Sequence, residues 1–141
     1  MGAGSAAATA AVFVWLGMVI AISFLEAPLK FRATGVTVPI GLSIGRLVFR
    51  ALNGAEALFA VITLIAIGLG TLPGRALPAL AVAVAVLFVQ VAAVRPSLTR
   101  RSDRVLAGED VPRSAGHHAY IALELAKVIA LLVAGIALLA Q

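Results

Sequence analysis

Two short stretches hold the residues most capable of chemistry: "GRLVFRALNGAEALFAVIT", with Glu56, and "HHAYIALELAK", with Glu124 and Lys127. In the second, His117, Tyr120, Glu124 and Lys127 fall within an arc of roughly 80° on a helix. They share one face. In the first, Arg46, Arg50, Asn53, Glu56 and Thr63 recur at spacings that keep them on a broad common face. At about 1.5 Å per residue, Glu124 lies roughly 10 Å and Lys127 roughly 15 Å beyond His117. Both stretches run into long apolar segments, so these charges are expected at membrane depth, where exposure to lipid costs on the order of 2.5–3.5 kcal/mol each. They are therefore expected to face inward. Glu124 and Lys127 at i, i+3 can pair on their own helix, and Lys127 can reach Glu56 or Gln90 on neighbouring helices.

Two chemistries fit this pattern. Intramembrane ionisable groups bind or relay a cation, a proton or a polar solute, which makes Glu56, Glu124 and Lys127, with Asn53, Tyr120, His117 and Gln90 beside them, a candidate transport or ion-handling site. The same residues can instead act as polar glue in a structural or accessory membrane subunit. A haem or quinone anchor is a third option. His117 and His118 are adjacent and point about 100° apart, so they cannot both ligate one ion, and no other His or Cys exists to complete a metal site. Ser114, three residues before His117, reads as a helix N-cap. Phosphate-cradling Gly motifs and Ser-nucleophile motifs are absent. No enzyme, cofactor or metal is expected.

The elements that must position these groups are membrane spans. The chain is 62% hydrophobic and 12% charged with a mean hydropathy of +1.12, against roughly 45–50% apolar residues in soluble domains. Charge-poor runs predict four transmembrane helices over about 6–25, 47–70, 76–94 and 118–140. The fold class expected is an all-α four-transmembrane-helix bundle in a single integral membrane domain. No Lys or Arg precedes the first run and "FLEAP" follows it, so it reads as a retained span and not a cleaved signal. The connection 26–46 is amphipathic, read as an extended turn from Pro28 to Pro39 with the next helix beginning near Gly41 to Gly45. The connection 95–116 reads as a polar loop with one short helical piece.

Nine of the eleven basic residues lie in the first and third connections, with Arg75 alone in the second. By the positive-inside rule those two connections are cytoplasmic and both termini lie on the other side, as in a bacterial inner membrane protein. This topological placement leaves no basic stripe for nucleic acid. Lys30, Arg32, Arg46, Arg50, Arg100 and Arg101 are expected to meet anionic lipid headgroups. Small residues such as Gly17, Gly68 and the alanines of "ALAVAVAVLF" permit close helix approach, and a homo-oligomer or a place in a larger complex is expected. Shifting the sequence by 68 residues sets Pro28 on Pro96, Arg32 on Arg100, Thr34 on Ser102 and Glu56 on Glu124, the mark of two parallel repeats about an axis along the membrane normal.

At "FLEAPLKF" and "GRLVFRALN" the chain resembles the family of small four-helix membrane proteins related to transmembrane protein 205. Pro28 and Phe31 match its turn after the first span, Gly45, Leu47 and Phe49 the amphipathic start of the second, and His117 to Glu124 the polar start of the last. The chain has "HHAYIALE" where that family's version is Asn-rich. The resemblance implies a four-helix membrane bundle and no particular activity.

Overall fold

The computed structural model describes residues 1–112 and 115–141. Four helices long and apolar enough to cross a membrane make up the chain: α1 (Ala3–Arg32), α2 (Val38–Gly68), α3 (Gly74–Leu106) and α4 (Ala115–Leu139). α1 packs on α2 and α4, α3 packs on α4 and α2, and the four close into a bundle. Inside it, Val12, Trp15, Leu16 and Val19 of α1 meet Ala60 of α2, Leu80, Ala83 and Leu87 of α3, and Leu131, Ala134 and Leu138 of α4. The alanines thin the helices at their contacts; Gly135 lies under Phe13, whose Cζ would sit 2.7 Å from an added Cβ. Large apolar side chains such as Leu47, Leu58, Leu69, Phe88 and Ile129 cover the outside. A contiguous apolar exterior over four spanning-length helices is the surface that hydrocarbon requires, and the chain is an integral membrane protein.

Two prolines shape the spans. Pro28 and Pro96 have no N–H for the helical ladder, yet neither stops its helix. α1 passes through π-helical turns over Ile20–Glu26, and α3 over Gln90–Val94, each ending two residues before its proline. The wider turns absorb the backbone groups that proline leaves unmatched. Displaced by 68 residues, the first π segment overlaps the second, so the sequence correspondence of Pro28 with Pro96 has a structural counterpart.

This helical continuity corrects three of the expected boundaries. The stretch from Pro28 to Pro39 is not an extended turn: α1 continues through a 3-10 turn at Lys30–Arg32, leaving a short connection at 33–37. The second span begins at Val38, where Thr37 Oγ1 accepts from the Ile40 N–H at 3.4 Å, and residues 38–46 are its first turns. In the third connection Arg95–Leu106 is a 12-residue helix continuous with the third span, which confines the connection to the residues after Leu106. The cap expected at Ser114 lies outside the described residues. At the opposite end a turn through Gly70, at φ +65°, joins α2 to α3, and Arg75 donates to the carbonyls of Ala137 and Ala140 at the end of α4.

Candidate functional site

The polar face of α4 enters the bundle between all three neighbouring helices. The Lys127 ammonium lies 2.5 Å from Glu56 Oε2 on α2, 2.7 Å from Glu124 Oε1 on its own helix, and donates to Gln90 Oε1 on α3 at 2.8 Å. Three acceptors match its three N–H donors. α1 contributes the remaining donors: the Trp15 indole Nε1–H to Glu56 Oε2 at 2.9 Å, and the Ser23 hydroxyl to Glu124 Oε2 at 2.8 Å. Gln90 Nε2 reaches Glu124 Oε1 at 3.4 Å. Relative exposure is 0% for Glu56 and Lys127 and 1% for Gln90 and Glu124, so the cluster is buried.

Two features set this cluster apart from a simple buried ion pair. Two carboxylates converge on one ammonium, which leaves one negative charge in excess when all three are ionised. One oxygen, Glu56 Oε1, is buried and receives no donor. Oxygens of buried carboxylates are ordinarily satisfied, and an excess charge in a low-dielectric interior is strongly unfavourable.

A second polar layer lies one helical turn towards the basic end. The Arg95 guanidinium lies against the rings of both Phe49 and Tyr120, 4.9 and 4.7 Å from their centroids, and donates through Nη2 to the Tyr120 hydroxyl at 2.9 Å. Phe49 and Tyr120 meet edge to face at 6.0 Å. Arg95 forms no ion pair among the described residues, and its Nε is buried without an acceptor. Beyond this layer a cavity of about 520 Å³ opens between the basic ends of the four helices; Ser23 and Glu124 line it together with Phe31, Phe49, Arg95 and His117. Glu124 therefore borders both the buried cluster and the cavity. In the other direction the apolar core around Val12, Leu80 and Leu131 closes the bundle.

The structure thus unites Glu56, Gln90, Glu124 and Lys127, and places Tyr120 and His117 on the cavity wall. Asn53 is elsewhere. It lines a shallow apolar recess with Ala57, Leu87 and Phe88, because it stands about 60° around α2 from Glu56. Thr63 is buried, with its hydroxyl unmatched. Of the basic residues expected at headgroups, Arg32, Arg50 and Arg100 are exposed, whereas Lys30, Arg46 and Arg101 form part of the cavity wall. There Lys30 lies 3.5 Å from Glu26 and Arg46 lies 2.6 Å from Asp103, while Arg101 donates to the Val111 and Pro112 carbonyls at 3.0 Å. Among the described residues no group of three or more His, Asp or Glu could hold a metal ion.

Three participants escape a reading for charged residues in spans. Trp15 and Ser23 look like packing or interfacial residues, and Arg95 looks like one topological arginine among several. A signal did exist for the first pair: Trp15, Val19 and Ser23 follow one another at i+4 on α1, and an indole N–H in the middle of an apolar span needs an acceptor. Comparison with protein-family models, curated proteins and solved structures gave no match.

Proposed function

We propose that this protein is a small proton-handling transporter of the bacterial inner membrane, not an enzyme, and that the carboxylate pair around Lys127 is its proton site. The observation that carries this is the excess of one carboxylate over the single buried ammonium, next to a cavity that reaches Glu124. One bound proton makes the cluster neutral; its release through Glu124 into the cavity restores the charge. Lys127 touches both carboxylates and links the outer one to the inner one, where Glu56 Oε1 awaits a proton donor. The cavity faces the cytoplasm if the basic connections do, which places both termini on the opposite side. Four thin helices leave no continuous pathway, so a dimer or larger assembly is the expected working form. The resemblance to the family related to transmembrane protein 205 fits this architecture.

A second reading, a packing lock in an accessory subunit, is favoured by the complete satisfaction of the Lys127 ammonium. Proteoliposomes with an entrapped pH dye separate the two. Under an imposed potential the wild type should acidify the lumen, and Glu56→Gln and Glu124→Gln, folded and incorporated to the same extent, should not. Equal proton flux with and without the two carboxylates would leave the lock as the better description.

A further inference from the structure

We propose that the cavity at the basic end is a binding site for a single-tailed anionic amphiphile, its carboxylate or phosphate head on Arg95 and its tail along the apolar wall. The proposal goes beyond proton handling and does not depend on it. Lys30, Arg46, Arg95 and Arg101 all line this cavity, but they are not equivalent. Lys30 faces Glu26, Arg46 faces Asp103, and Arg101 is engaged by two backbone carbonyls. Arg95 alone of the four has neither a carboxylate nor a carbonyl partner among the described residues. Among the described residues its one polar partner is the neutral Tyr120 hydroxyl, and its Nε–H is buried with no acceptor. The Phe49 and Tyr120 rings pack against the guanidinium where Arg95 lines the cavity, which restricts its movement. A guanidinium presented in this way is matched by the oxygens of a carboxylate or phosphate.

The rest of the wall specifies a tail. Phe24, Phe31, Leu42, Leu98 and Ile121 line the same space, and at about 520 Å³ it lies within the range of small-molecule sites, roughly 300–1,000 Å³. Gly41 lets the Phe31 ring pack closely against α2 to form part of that wall, since the ring occupies the position where a β-carbon would stand. An uncharged apolar molecule would leave Arg95 unmatched, and a small inorganic anion would leave the apolar wall bare. Only an amphiphile answers both.

The test is isothermal titration of the full chain in phosphatidylcholine nanodiscs, with empty nanodiscs as the baseline and no proton gradient present. Four probes suffice: dodecanoate, a lysophosphatidic acid with the same tail, dodecanol and inorganic phosphate. One saturable site for dodecanoate or the lysophosphatidic acid is expected, the tighter of the two identifying the head as carboxylate or phosphate, with dodecanol at least tenfold weaker and inorganic phosphate not binding. Arg95→Gln should weaken the anionic amphiphile at least tenfold. Leu98→Trp, which fills the cavity and leaves every charge in place, should do the same and decides the matter if the Arg95 variant does not fold. Dodecanol binding as well as dodecanoate, inorganic phosphate binding as well as either amphiphile, or unaltered binding by the folded variants would overturn the proposal. Such a failure would not touch the proton flux expected of the Glu56 and Glu124 pair, which is read in a separate assay.

Discussion

Replacing Lys127 by methionine removes the one cation, among the described residues, in contact with the two buried carboxylates. Glu56 would keep the Trp15 indole, and Glu124 would keep Ser23 and the longer Gln90 contact. Three short interactions at 2.5, 2.7 and 2.8 Å would vanish at once. Breaking a buried pair by deleting one partner costs about 3–5 kcal/mol, because the surviving charge stays buried and unmatched. That is roughly a 150- to 5,000-fold loss in the folding equilibrium. Glu56→Gln and Glu124→Gln act in the opposite sense on charge. Each removes the excess and leaves one carboxylate against Lys127, so each should cost only about 1 kcal/mol, the scale of one exchanged hydrogen bond. Combining Lys127→Met with Glu56→Gln and Glu124→Gln should recover much of the loss from Lys127→Met, since no buried charge then remains. Reversible unfolding in mixed micelles, following helicity as the denaturing detergent fraction rises, measures the four variants and the wild type on one scale. A Lys127→Met variant no less stable than the two Gln variants, or a triple variant no better than Lys127→Met, would refute the placement of the ammonium between the carboxylates.

Further outcomes follow from individual contacts. Trp15→Phe keeps an aromatic ring but loses the donor to Glu56 and part of a fully buried indole, so it should cost at least about 1.5–3 kcal/mol in the same unfolding assay, the range for a hydrogen bond to a charged group before the cavity is added. Trp15 is the sole tryptophan and is fully buried, so its fluorescence should resist iodide in folded protein and become quenchable on unfolding. Gly135→Ala should destabilise by about 1–3 kcal/mol through overpacking against Phe13, whereas Asp103→Asn, which breaks an exposed bridge to Arg46, should cost below about 1 kcal/mol. The chain has no cysteine, so single cysteines at the exposed positions 33, 74 and 107 can map sidedness: an impermeant maleimide should reach 33 and 107 from one face and 74 from the other.

Much of the architecture is legible in the order of residues because hydrocarbon imposes a coarse rule. A run such as Ala76 to Val94, without a charge, can only be a helix at membrane depth, and Glu124 and Lys127 at i, i+3 can only face inward. The π segments are less legible. Pro28 and Pro96 suggest helix ends, and nothing in a hydrophobic pattern reveals that a widened turn before each proline carries the helix onward. The periodic face on α2 is also too coarse to assign contacts: Asn53 and Glu56 both belong to it, yet 60° of rotation sends one to an apolar recess and the other to Lys127. Trp15 and Ser23 carry no charge, and although their shared face and the indole N–H hint at a buried acceptor, which carboxylate each one meets emerges only when α1 is set against α2 and α4. The 68-residue offset sets Glu56 on Glu124 but Phe59 on Lys127, and the single ammonium is what makes the carboxylate pair uneven.

Infrared spectroscopy of the protein in lipid films, recorded as pH is stepped, tests proton occupancy at the carboxylate pair most directly. A protonated carboxylic acid absorbs apart from an ionised one, and a group sealed from water gives a narrow band. The wild type should show such a band, equivalent to one proton per chain, that Glu56→Gln and Glu124→Gln each abolish or displace. A spectrum in which both carboxylates stay ionised throughout, unchanged by either substitution, would contradict a proton site around Lys127.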